Sequence, residues 1–74
     1  MDVRRRLGLN VRALRGDRGF SQEELAFECR LHRTYVSGVE RGVRNPTVIV
    51  VEKIARALKV PASKLLEEVG AVKS

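Results

Sequence analysis

Apolar residues recur along the chain at intervals of three and four, which is the spacing of one face of an α-helix. The first series predicts a helix over about residues 3–17 and consists of Val3, Leu7, Val11 and Leu14. Ser21 followed three residues later by Glu24 is a capping-box pattern. A second helix is therefore expected from Gln22 to about Cys29.

Three further helices are predicted after the tight turn at Arg30-Leu31. Val36 and Val39 indicate a helix that begins near His32 and stops at Arg41-Gly42, where glycine is a common C-cap. Thr47 can cap the next helix, whose apolar positions are Val48, Val51, Ile54, Ala55 and Leu58. Pro61 opens a last helix over about residues 61–69, with Leu65, Leu66 and Val69. The pattern predicts an all-α fold, a compact five-helix bundle, and 74 residues leave room for a single domain over residues 1–74.

The distribution of charge indicates what kind of partner the chain binds. Lysine and arginine number 15 against 9 acidic residues, a net charge of +6. Residues 30–44 contain a single acid, Glu40, beside Arg30, Arg33, Arg41 and Arg44. A polyanion is the expected partner of this segment. For Arg4, Arg5 and Arg6, an ordinary solvated basic surface is an alternative explanation.

Several classes of function are not supported by the residues present. Cys29 is the only cysteine, so it is expected to be a small buried side chain, and His32 has no second metal ligand near it. No His–carboxylate pair, nucleophile–base pair or glycine-rich phosphate loop is apparent, so neither an enzyme nor a cofactor is expected. The chain lacks a membrane-length apolar run and a signal peptide, which predicts a cytoplasmic protein.

The second and third helices form a helix-turn-helix pattern, in which the third helix enters the DNA major groove. At 100° per residue, Val36 and Val39 face the core. The opposite front consists of Thr34, Ser37, Gly38 and Arg41, flanked by Arg33. Gly38 costs about 0.5–1 kcal/mol in a helix relative to alanine. It either permits close approach to DNA, which its angle favours, or relieves packing against another helix.

The same residues carry a resemblance. The segment QEELAFECRLHRTYVSGVERGVRNP, with VRALR before it, resembles the Cro and phage-repressor-like (Xre-type) helix-turn-helix family. HRTYVSGVERGVRNP is most similar to the small controller proteins of restriction–modification operons. The resemblance covers about residues 7–67 and implies a lambda-repressor-like DNA-binding domain. Arg30 stands where the family usually has glycine, often at positive φ, which would cost about 1 kcal/mol if the turn is kept.

The resemblance also implies roles for individual residues. DNA bases would be contacted by Arg33, Thr34, Ser37 and Gly38, with Arg33 the best candidate for a forked contact to guanine. Phosphates would be contacted by Gln22, Tyr35, Ser37, Arg41, Arg44 and Asn45. Gln22 has the alternative role of capping its own helix. Glu40 would pair with Arg15 as a structural brace.

Regulation would require a dimer, because one recognition helix specifies only a few base pairs. The apolar residues available for a dimer interface in the last two helices are Val50, Val60, Leu66, Val69 and Val72, which could instead close the core. The expected function is a cytoplasmic homodimeric transcription regulator on an inverted-repeat operator, with RNA polymerase recruited or excluded. The alternative is an antitoxin or prophage repressor whose C-terminal helix also binds a protein.

Overall fold

The computed structural model describes residues 2–68 and contains five helices over that range. They are α1 (Val3–Asp17), α2 (Gln22–Cys29), α3 (Arg33–Glu40), α4 (Val48–Leu58) and α5 (Ala62–Leu65). No strand occurs within the described range. The all-α architecture predicted from the apolar spacing is confirmed.

Local side-chain caps explain where the middle helices begin. The Ser21 hydroxyl accepts a hydrogen bond from the Glu24 N–H at 3.0 Å, and the Glu24 carboxylate accepts one from the Ser21 N–H at 2.7 Å. Thr47 caps α4 through the Val50 N–H, and the His32 Nδ1 atom caps α3 through the Thr34 N–H. These side chains satisfy N–H groups that the first turn of a helix leaves unpaired.

The core lies where α1, α2, α3 and α4 meet. Leu25, Val36 and Ile54 are fully buried in it, one from each of the last three of these helices. Cys29 is also buried, and the loss of hydration raises the pKa of its thiol to about 11. The thiol therefore stays protonated near neutral pH and serves as a packing group.

A glycine brings α1 close to the recognition helix α3. A Cβ atom on Gly8 would lie within 2.8 Å of the Glu40 carbonyl carbon and would also meet the Val39 carbonyl oxygen. Both obstacles are backbone atoms, so neither can move aside as a side chain can. Gly8 therefore sets how closely α1 and the end of α3 approach each other.

The last described helix is shorter than the sequence predicts. The expected helix over residues 61–69 is wrong for Pro61, which is the N-cap, and for residues 66–68, because α5 ends at Leu65. The Asn10 amide donates hydrogen bonds to the carbonyl oxygens of Leu65 and Glu67, at 2.8 and 2.7 Å. These bonds from α1 occupy carbonyl groups that a longer helix would use for its own hydrogen bonds, so they favour the end of α5 at Leu65.

The turn between α2 and α3 keeps the left-handed backbone that glycine would favour. Arg30 has φ 59° and ψ 42°, and Lys59 after α4 has nearly the same values, φ 60° and ψ 42°. A side chain with a Cβ atom is strained in this region.

We expect Arg30→Gly to raise the free energy of unfolding by about 0.5–1 kcal/mol, because relief of strain exceeds the added entropy of the unfolded chain. Urea denaturation measures the change. Lys59→Gly should give a similar gain and Arg30→Gln almost none, since glutamine keeps the Cβ atom. A loss of stability in Arg30→Gly would show that the arginine side chain makes a compensating contact.

Candidate nucleic-acid interface

The exposed face of α3, its front, is polar because the apolar side chains of this helix are buried in the core. Val36 and Val39 are 0 % and 1 % exposed, whereas Arg33, Thr34 and Arg41 are exposed. The Ser37 hydroxyl is half-buried and accepts a long hydrogen bond of 3.4 Å from the Arg41 Nε atom. The front thus offers cations and small hydroxyls, the groups that bind base edges and phosphates.

A buried ion pair fixes α3 against α1 and the start of α2. The Arg15 guanidinium donates to both carboxylate oxygens of Glu40, at 2.6 and 3.1 Å, and to the Phe20 carbonyl oxygen at 2.8 Å. The hydrogen bonds to Glu40 raise the pKa of Arg15. Glu40 is only 8 % exposed, so its negative charge is directed into this network and away from the front.

Gln22 belongs to the same network. Its Nε2 atom donates to the Glu40 carboxylate at 2.9 Å, while Ser21 caps α2. The side chain is therefore held by α3 at the beginning of α2. The capping role considered for Gln22 is filled by its neighbour.

Gly38 lies under the side chain of Arg44, which comes from the loop after α3. A Cβ atom on Gly38 would lie 2.7 Å from the Arg44 Cγ atom. The Arg44 guanidinium carbon is 5.3 Å from the centre of the Tyr35 ring, within the range of a cation–π interaction. Gly38 accordingly makes room for a loop side chain, a contact that neither sequence-based interpretation includes.

The other predicted contact residues lie around this front. The Thr34 hydroxyl is 2.8 Å from the His32 Nδ1 atom, and the Arg33 Nε atom is 3.9 Å from the Glu23 carboxylate. Asn45 is exposed in the loop beside Arg44. The partnership of Arg33 with Glu23 was not predicted, because it joins exposed residues ten positions apart on two helices.

The described residues among those predicted for a dimer interface divide into two groups. Val50 and Val60 are half-buried against the core, whereas Leu66 is 43 % exposed. Val69 and Val72 lie outside the described residues.

Within residues 2–68, no helix is long and apolar enough to cross a membrane. The same part of the chain contains no group of three or more side chains placed to hold a metal ion.

Residues 11–65 match the model of a protein family described as "Helix-turn-helix". Control protein C.BamHI of Bacillus amyloliquefaciens is 48% identical over 67 residues, covering 89% of this chain and 83% of that protein. The crystal structure of the restriction-modification controller protein C.AhdI from Aeromonas hydrophila is similar, with a TM-score of 0.82 and 44% identity over 84% of this chain and 94% of that one.

SinR, the master regulator for biofilm formation, was solved in complex with DNA and matches with a TM-score of 0.78 and 31% identity. This match covers 82% of this chain and 98% of the SinR chain. These relatives are control proteins or regulators. The chain therefore belongs to the Helix-turn-helix family of DNA-binding transcription regulators.

Proposed function

We propose that the chain acts in the cytoplasm as a homodimer that binds an inverted-repeat operator and controls a restriction–modification operon or its own promoter. The whole chain serves as one DNA-binding domain, and its C-terminal end contributes to the dimer. The observation that carries the proposal is the polar front of α3, held in place from behind by the buried Arg15–Glu40 pair. A rigid, cationic recognition helix is what sequence-specific binding in the major groove requires.

The positions of the side chains support the proposed contacts. Arg33 and Thr34, at the exposed beginning of α3, contact bases, as does the half-buried Ser37. The base contact expected for Gly38 is not part of the proposal, because Gly38 is buried under the Arg44 side chain. Phosphates are bound by side chains around this front, namely Gln22, Tyr35, Ser37, Arg41, Arg44 and Asn45. The Arg33 Nε atom lies 3.9 Å from the Glu23 carboxylate, which makes a weak ion pair. Arg33 can therefore leave Glu23 and bind the edge of a guanine base instead.

A homodimer is proposed because specificity in a genome demands two half-sites. One recognition helix specifies only a few base pairs, whereas two helices about 34 Å apart double the specified sequence. Leu66 supplies exposed apolar surface near the C-terminal end, and Val50 and Val60 are half-buried against the core. We propose that these three residues contribute to the interface together with Val69 and Val72. The similarity to control proteins supports this arrangement.

The effect on transcription depends on where the operator lies. A dimer bound upstream of a promoter can recruit RNA polymerase, and one that overlaps the promoter excludes it. We therefore propose RNA polymerase as a second partner, with the sign of regulation set by the position of the site.

Footprinting on the DNA upstream of the protein's own reading frame tests the proposal. We expect a protected inverted repeat, and we expect Arg33→Ala to lose about 1–3 kcal/mol of preference for it over unrelated DNA. Arg56→Ala is the matched control, because Arg56 lies on α4 with 80 % of its side chain exposed and pairs with Glu52. Circular dichroism should show both variants folded. Protection without symmetry, or an Arg33→Ala variant with unchanged preference, would contradict the proposal.

A further inference from the structure

Four residues of α1 form one stripe along the helix. Arg5, Gly8, Arg12 and Arg15 follow one another at intervals of three, four and three, which places them on the same face. Gly8 packs against the backbone at the end of α3, and Arg15 pairs with Glu40 of α3. The other two members, Arg5 and Arg12, are exposed. Both therefore lie along the border between α1 and the recognition helix.

The position of Arg5 is fixed by a backbone contact. Gly42, which follows the end of α3, has φ +77°, and a Cβ atom on it would lie 3.1 Å from the Arg5 Cα atom. The loop that carries Arg44 begins one residue later. The Arg5 side chain consequently leaves α1 beside the end of α3, close to the loop proposed to bind phosphates.

The stability of α1 does not account for these charges. The first turn of a helix favours acidic residues, yet the first turn of α1 has none and contains three arginines. Arg4 pairs with the N-cap Asp2 at 3.1 Å, and Arg6 lies 3.8 Å from Glu68. Arg5 and Arg12 form no ion pair within residues 2–68. Neither the stability of α1 nor an ion pair within the described residues therefore accounts for these two positive charges, which are available to bind an anionic partner.

We propose that Arg5 and Arg12 bind phosphates of the DNA backbone beside the half-site that α3 contacts. This inference rests on the proposed function and adds two contacts outside the helix-turn-helix unit. Gly8 is essential to it, because the close approach of α1 to α3 brings the exposed members of the stripe next to the groove wall. Since the ligands are phosphates, the contacts do not depend on the base sequence.

The test is the salt dependence of operator binding by the full chain, measured by fluorescence anisotropy. In an Arg5→Gln/Arg12→Gln double variant, the slope of log affinity against log salt should become shallower. The expected change is about 0.9 for each phosphate that a protomer no longer neutralises. The ratio of affinities for operator and unrelated DNA should stay constant. Lys53→Gln/Arg56→Gln is the charge-matched control on α4 and should leave the slope unchanged.

The outcomes separate this inference from the proposed function. If the unaltered chain shows no operator preference, the proposed function fails. If it binds its operator specifically and the Arg5/Arg12 variant keeps the same salt slope, this inference alone fails. An equal change of slope in the Lys53/Arg56 control would also overturn it, because net charge would then explain the effect.

Discussion

Glu40→Ala is expected to lower the free energy of unfolding by about 3–5 kcal/mol, because it leaves the largely buried Arg15 guanidinium without its carboxylate. It also removes the acceptor of the Gln22 side chain. A chain of this size has a small core and a correspondingly small reserve of stability. Thermal and urea unfolding should show a protein that is partly unfolded at room temperature.

An apolar replacement of the whole pair provides the control. Arg15→Met/Glu40→Leu should be more stable than Glu40→Ala, because neither buried charge is then left alone. A loss below about 1 kcal/mol in Glu40→Ala would place the pair in the class of weak surface ion pairs. That result would remove the rigid support on which the proposed function depends.

Gly38→Leu is expected to abolish specific DNA binding while leaving the fold intact. Its Cβ atom would displace the Arg44 side chain from its place over Gly38, and the larger side chain would stand on the front of α3. Operator affinity should fall at least about a hundredfold, which corresponds to about 2.7 kcal/mol. Stability should change little, since the gain of about 0.5–1 kcal/mol in helix propensity offsets the weakened interaction between Arg44 and Tyr35.

Gly16→Leu is the matched control for this effect. Gly16 also lies within a helix, but a Cβ atom on it would meet nothing within 4 Å. The substitution should raise stability through a similar gain in helix propensity and leave operator affinity unchanged. If Gly38→Leu bound the operator as well as the unaltered chain, neither Arg44 nor the front of α3 at this point could take part in binding.

Helix boundaries can be predicted where a nearby side chain determines them. Ser21, His32 and Thr47 each cap the helix that follows, through atoms at most three residues away. The left-handed turn at Arg30 is implied by the family resemblance, and the backbone adopts it. The apolar face of α3 follows from the spacing of Val36 and Val39.

Contacts between distant residues cannot be predicted in the same way. The end of α5 depends on Asn10, which lies 55 residues before Leu65, and no local pattern links them. The angles that predict the front of α3 describe an isolated helix, so they do not include the Arg44 side chain that covers Gly38. Likewise, the apolar spacing of α4 includes Val48, yet this side chain is 83 % exposed in the first turn.

The eight-residue length of α3 has a consequence for the amount of active regulator in a cell. A helix of two turns is not stable by itself, so the DNA-binding surface exists only while α1 and α2 hold it. Only folded molecules can therefore bind DNA, and any unfolded fraction is exposed to proteolysis. The rate at which the unfolded fraction is degraded therefore affects how much DNA-binding regulator is present.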